Sequence, residues 1–173
     1  MRAALILAFA LALGAPPAVR GAAEKHQPAP GFSLTDISGK KVDLAAYRGH
    51  VVLLDFWATW CAPCRAEIPH FVAMQNRYGT RGLRIIGVSL DDDVKAVRDF
   101  REQFKMNYPV VIGDAALAER YGGILGLPVT FLIGCDGRIQ SRHDGETDTA
   151  LIERELVPLL KAGPCTAKRP GDR

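Results

Sequence analysis

Cys61-Ala62-Pro63-Cys64 places two thiols three positions apart, a spacing that can close a small disulfide ring. If the pair opens a helix, unpaired backbone N–H groups and the helix dipole stabilise a thiolate there. Cys61 follows the segment VVLLDFWATW, so its sulfur is expected to be the more exposed and to attack first. Cys64 lies one turn deeper and is expected to attack the resulting mixed disulfide. Pro63 suits a first helical turn, where its missing N–H has no partner to lose. Zinc would need further ligands at matching spacing, and Cys135 and Cys165 form no second such pair. A purely structural bridge is the other alternative, but a CxxC at a strand-to-helix junction is the redox arrangement.

Thiol–disulfide exchange requires Cys64 to lose a proton as it attacks, which directs attention to nearby acids. Asp55 interrupts an otherwise apolar run six positions before Cys61. A charge there is costly without a partner, so either its pKa is raised or water reaches it. Glu67 falls early in the expected helix, where an acid could equally serve as a cap. Trp60, directly before Cys61, is expected to shape a docking surface, and Trp57 to belong to the core. His26, His50, His70 and His143 are scattered and read as surface residues. Asp91-Asp92-Asp93 reads as helix capping and solvation, since a calcium loop would space its acids.

The elements that must position these groups follow from periodicity. Residues 32–47 contain two short extended stretches about Ser38-Gly39, and Val51 to Phe56 reads as a strand covered on both faces. Ile68, Phe71, Val72 and Tyr78 recur at helical spacing, with Pro69 a source of a kink. Leu83 to Leu90 reads as a second buried strand. Val94, Val97, Phe100 and Phe104 give the apolar face of the following helix. Tyr108–Ile112 and Val129–Ile133 read as strands on either side of a short helix over 115–121. Asp136-Gly137 turns the chain into a strand at 138–140. A last helix should begin at 147–149, bury Leu151, Ile152, Leu156, Leu159 and Leu160, and stop at Gly163-Pro164. The order βαβαβαββα defines an α/β domain with a mixed sheet.

WATWCAPCRAEIP together with the distant GLPVTFLIGCDGRI resembles the TlpA/ResA/DsbE-like group of periplasmic thioredoxin-fold proteins, from about Phe32 to Leu160. The resemblance implies a thioredoxin fold with an N-terminal β extension and a central αβ insertion. It implies that Pro128 is a cis proline facing the cysteines and that the backbone of Leu127 pairs with an extended substrate strand, beside a surface formed by Trp60, Ala62 and Pro63. Ordinary thioredoxins carry a proton-transfer acid at the position of Asp55, and the ResA-like group carries a characteristic acid at the position of Glu67. This sequence holds both, and either could relay the proton of Cys64. The implied activity is reduction of protein disulfides, with apocytochrome c as a candidate substrate and a membrane thiol carrier as electron donor.

The first residues show a basic start at Arg2, an apolar run from Ala3 to Leu13, and Gly21-Ala22-Ala23. That pattern predicts a cleaved secretory signal over 1–23, since the run falls short of the ~20 residues a spanning helix needs. A flexible lead-in over 24–31, the domain over 32–163 and a tail over 164–173 follow. Removing Arg2 and Arg20 from the 22 bases leaves 20 against 19 acids, a balance that argues against a nucleic-acid partner. Export to an oxidising periplasm would favour a structural disulfide between Cys135 and Cys165, provided their Cα atoms come within about 7 Å. No cofactor is expected beyond the cysteine pair itself, and the protein is expected to be a monomer.

Three other functions use overlapping features. An oxidase would employ the same residues at a different potential. A peroxidase of the peroxiredoxin class resembles FSLTDISGKKVDLAAYRGHVVLLDFWATWC, but its pattern places Pro and Thr where Leu54 and Ala58 stand. A Cu(I) chaperone would hold copper on both thiolates with His70 or His143, although such proteins usually space their cysteines by three residues.

Overall fold

The computed structural model describes residues 26–161. The proposed signal, the end of the domain and the C-terminal tail with Cys165 therefore lie outside the described residues. A short antiparallel hairpin, β1 (Ser33–Thr35) and β2 (Lys41–Asp43), precedes the main sheet. Its turn is closed by Asp36, whose carboxylate accepts from the Ser38 and Lys40 N–H groups at 2.9 and 2.8 Å. That local capture explains the turn at Ser38-Gly39. The hairpin attaches to the sheet where the Ile37 N–H donates to the Val110 carbonyl at 2.9 Å, covering part of an otherwise open edge.

The sheet has five strands in the order β5-β4-β3-β6-β7. β3 (Val51–Trp57), β4 (Leu83–Ser89) and β5 (Val110–Ile112) are parallel, and β6 (Val129–Ile133) and β7 (Ile139–Asp144) extend it antiparallel. Helices α1 (Ala62–Tyr78), α2 (Val94–Gln103), α3 (Ala115–Arg120) and α4 (Thr149–Lys161) cover it. This is the mixed α/β architecture expected. β5 is shorter than the anticipated 108–112 because Pro109 can donate no ladder hydrogen bond. β7 runs further than residue 140. α1 continues through Pro69, and α4 carries Pro158 in its interior. On α4, Ile152 and Leu156 are buried, whereas Leu151, Leu159 and Leu160 are only half-buried at the rim of the core.

Period-two alternation divides β3 between two cores. Val52, Leu54 and Phe56 pack with Phe131, Tyr121 and Leu117. Val51, Leu53 and Trp57 pack on the other face with Ile68, Phe71, Phe100 and Ile152, the side of α1, α2 and α4. Asp55 belongs by alternation to this second face, beneath the helix that carries the cysteines.

Its neighbour across the ladder is Gly87, where a Cβ would lie 2.9 Å from Trp57 Nε1 and 3.5 Å from a Tyr108 ring carbon. Gly87→Ala is therefore expected to overpack this layer and to cost about 1–3 kcal/mol. Equilibrium denaturation measures that loss, and a variant as stable as the parent would contradict it.

Candidate active site

The chain leaves β3 at Trp57 and reaches α1 through a four-residue turn, in which the Cys61 N–H donates to the Ala58 carbonyl at 3.1 Å. Cys61 is the N-cap of α1. Its Sγ accepts from the Cys64 N–H at 3.3 Å, so the first sulfur lies against one of the N–H groups that a helix start leaves unpaired. Cys61 and Cys64 are joined as a disulfide with Cα atoms 5.3 Å apart. Ala62 and Pro63 form the outer side of the ring in the first helical turn, Ala62 exposed and Pro63 partly so. On reduction, the same N–H groups and dipole favour negative charge on Cys61.

Trp60 stands beside this ring, 70% exposed, while Trp57 is fully buried. The Leu127–Pro128 peptide is cis. In the β3/β6 register Val129 lies opposite Phe56, so Pro128 reaches the edge of the sheet from which the 58–61 turn departs. The cis bond is the one that the sequence resemblance implied.

The two acids meet behind the ring. Asp55 is 1% exposed, and the Thr130 hydroxyl donates to its Oδ1 at 3.4 Å from the facing strand. Burial, with the Glu67 carboxyl adding to it, pushes Asp55 well above the usual carboxylate range against the weak pull of Thr130. Glu67 follows Cys64 by three residues, on the same side of α1. It is 4% exposed, so it is not the surface cap that its helical position allowed. Its Oε1 accepts from the Thr147 N–H at 3.0 Å, and its Oε2 has no hydrogen-bond partner among the described residues. Burial raises its pKa, with Glu146 adding and Thr147 opposing. Tyr108 completes the group, its hydroxyl buried and without a partner among the described residues, and burial together with the Asp55 charge raises its pKa well above normal.

Such a layer can take up the proton that a neighbouring thiol loses on ionising and hold it within the protein. The Glu67 charge opposes ionisation of Asp55, and two carboxyls that interact in this way titrate as a pair rather than independently. Thr130 and Tyr108 were not legible as site residues. Cross-strand register and a loop contact bring them to Asp55, and neither leaves a local sequence signal.

The acidic run after β4 fulfils its expected role of capping and solvation at Asp92 and Asp93 but not at Asp91. Asp93 alone caps α2, accepting from the Lys95 N–H at 2.8 Å. Asp91 is 7% exposed and turns back to the 58–61 turn, where Thr59 donates through its N–H at 2.9 Å and its hydroxyl at 2.6 Å. His143 is likewise not a free surface residue, since its Nε2 lies 3.0 Å from Glu155 on α4. Cys135 is not a free thiol, and its expected partner Cys165 lies outside the described residues.

The family described as the AhpC/TSA family matches residues 26–142. The chain is 35% identical over 131 residues to the thiol-disulfide oxidoreductase ResA of Bacillus thuringiensis subsp. konkukian, covering 76% of each chain. It is 32% identical over 136 residues to ResA of Bacillus subtilis, covering 78% of this chain and 75% of that one. A crystal structure of a DsbE-type thiol:disulfide interchange protein from Chlorobium tepidum superposes with a TM-score of 0.74 at 31% identity, over 79% of this chain and 98% of that one. On these matches the chain belongs to the AhpC/TSA family and, within it, to the thiol–disulfide oxidoreductases of ResA and DsbE type.

Proposed function

We propose that this chain is an exported reductase of protein disulfides, with Cys61 as nucleophile and Cys64 as resolving thiol. The observation that carries this reading is the cysteine pair at the start of α1 with the Asp55–Glu67 pair buried behind it. The Cys61 thiolate attacks one sulfur of a substrate disulfide, forming a mixed disulfide and expelling the other substrate sulfur as a thiolate that takes a proton from solvent. Cys64 then gives its proton to the Asp55–Glu67 pair and attacks Cys61 Sγ. The Cys61–Cys64 disulfide forms, the second substrate thiol leaves, and two electrons have passed to the substrate. A membrane thiol carrier restores the dithiol.

Trp60, Ala62 and Pro63 on one side, and Leu127 and Pro128 on the other, form the docking surface for an extended substrate segment. Apocytochrome c is the candidate substrate. Residues 1–23 are a cleaved signal that delivers a monomer to the periplasm, where a Cys135–Cys165 bridge secures the tail. No cofactor beyond the cysteine pair takes part.

Direction is set by potential. Equilibration against dithiothreitol or glutathione buffers is expected to give about −270 mV or lower, as for thioredoxin, while a value near −120 mV would make the protein an oxidant. The AhpC/TSA match makes peroxidase activity the second reading to test. With Leu54 and Ala58 where the peroxidase pattern requires Pro and Thr, peroxide consumption is expected to be negligible, and rapid turnover would replace the reductase reading.

A further inference from the structure

The turn that carries Trp60 is held by a group that plays no part in the exchange chemistry. Ala58 and Cys61 are its hydrogen-bonded ends, which leaves Thr59 and Trp60 as its two central residues. The backbone N–H at the first central position of such a turn has no partner within the turn. Here it donates to Asp91 Oδ2 at 2.9 Å, and the Thr59 hydroxyl donates to Oδ1 of the same carboxylate at 2.6 Å.

Asp91 is itself fixed. The hydroxyl of fully buried Ser89 donates to Oδ2 at 2.8 Å, and the Asp91 N–H donates to Ser89 Oγ at 3.1 Å. A further bond, from the Leu90 N–H to the Trp57 carbonyl at 2.9 Å, ties the same end of β4 to the start of the turn. A nearly buried carboxylate taking three hydrogen bonds is a costly and rigid device. Its cost is understandable if the turn must not move, because the turn ends in Cys61 and exposes Trp60.

We infer that Asp91 is a positioning residue for thiol–disulfide exchange: through Thr59 it fixes Trp60 and the approach to Cys61 in the geometry that polypeptide substrates meet. This rests on the reading of Trp60 as part of the docking surface. A small disulfide needs only access to the sulfur, whereas a polypeptide must align on Trp60 and Cys61 together, so loosening the turn penalises the polypeptide selectively.

The test uses the full chain and the variants Asp91→Ala, Asp91→Asn, Thr59→Val and Trp60→Ala. Insulin serves as the polypeptide disulfide and oxidised glutathione as the small one. Asp91→Ala is expected to raise KM for insulin about tenfold, with kinetics on glutathione changed less than twofold. Asp91→Asn retains an oxygen acceptor for the Thr59 N–H and is expected to recover most of the loss. Thr59→Val removes only the hydroxyl bond and is expected to fall between, which keeps the test open if Asp91→Ala folds poorly. Time-resolved fluorescence anisotropy supplies a readout that fold stability alone would not move. Trp57 is locked in the core, so a new fast component in Asp91→Ala reports Trp60.

Unchanged anisotropy and unchanged insulin kinetics in Asp91→Ala and Thr59→Val would overturn the inference. The docking reading fails separately: Trp60→Ala would then leave KM for insulin as in the parent, while anisotropy still decides whether Asp91 holds the turn.

Discussion

Cys64→Ser is expected to accumulate as a covalent adduct with its substrate, while Cys61→Ser forms none and loses turnover by at least about 10³-fold. The asymmetry comes from position. Cys61 caps α1 with its sulfur against the Cys64 N–H, so its thiolate gains from the helix start even when residue 64 is serine. Attack then proceeds and stops at the mixed disulfide, because the hydroxyl at 64 cannot displace the substrate sulfur. Cys64 in the reverse variant is the more buried of the two, and it is expected not to reach a polypeptide disulfide. Non-reducing electrophoresis and intact mass after thiol quenching measure both outcomes. Adducts from Cys61→Ser in place of Cys64→Ser would reverse the assignment.

The acids behind the ring produce the second large effect. Asp55→Asn is expected to make the oxidised protein measurably more stable than the parent at pH 8 and equally stable near pH 4. The sign follows from the shift: a carboxyl whose folded pKa is raised favours the folded state below its unfolded pKa. That contribution is lost as pH rises through the folded pKa. Asparagine resembles the protonated form and has no charge to bury, so the alkaline loss disappears. Exchange moves the other way, because Cys64 loses its proton acceptor. Asp55→Asn and Glu67→Gln are each expected to slow the resolving step about 10- to 100-fold near neutral pH. In the double variant the losses fall short of their product, since the two titrate as a pair. Denaturant titration at the two pH values and stopped-flow kinetics provide the measurements. A stability difference independent of pH, or multiplicative rate losses, would contradict the coupled pair.

The chemistry was legible because it is local. Cys61, Pro63 and Cys64 fall within one helical turn, and the burial of Asp55 follows from its place in an apolar strand. Alternation along VVLLDFW even assigns Asp55 to the face of Leu53 and Trp57. Glu67 was ambiguous because an acid in the second turn of a helix can face either way. Only the packing of α1 against the 145–149 loop, which supplies the Thr147 N–H, decides it. Asp91 is not legible for a related reason: among three consecutive acids, capping is a local role that Asp93 alone fills. The contact that defines Asp91 spans 32 positions and depends on β3 and β4 being parallel neighbours. His143 reads as a surface residue in the sequence because its partner, Glu155, lies on a helix whose docking is a tertiary outcome.

The most direct test of the account is to poise the protein at a series of potentials, alkylate it, and locate the labelled thiols by mass in the parent and in a Cys135/Cys165 double variant. Cys61 and Cys64 are expected to become labelled together in one two-electron transition whose midpoint is the same in both proteins. If Cys61 and Cys64 never form a disulfide under oxidising poise, or if the transition vanishes with Cys135 and Cys165, the assignment of the redox centre to the start of α1 is wrong.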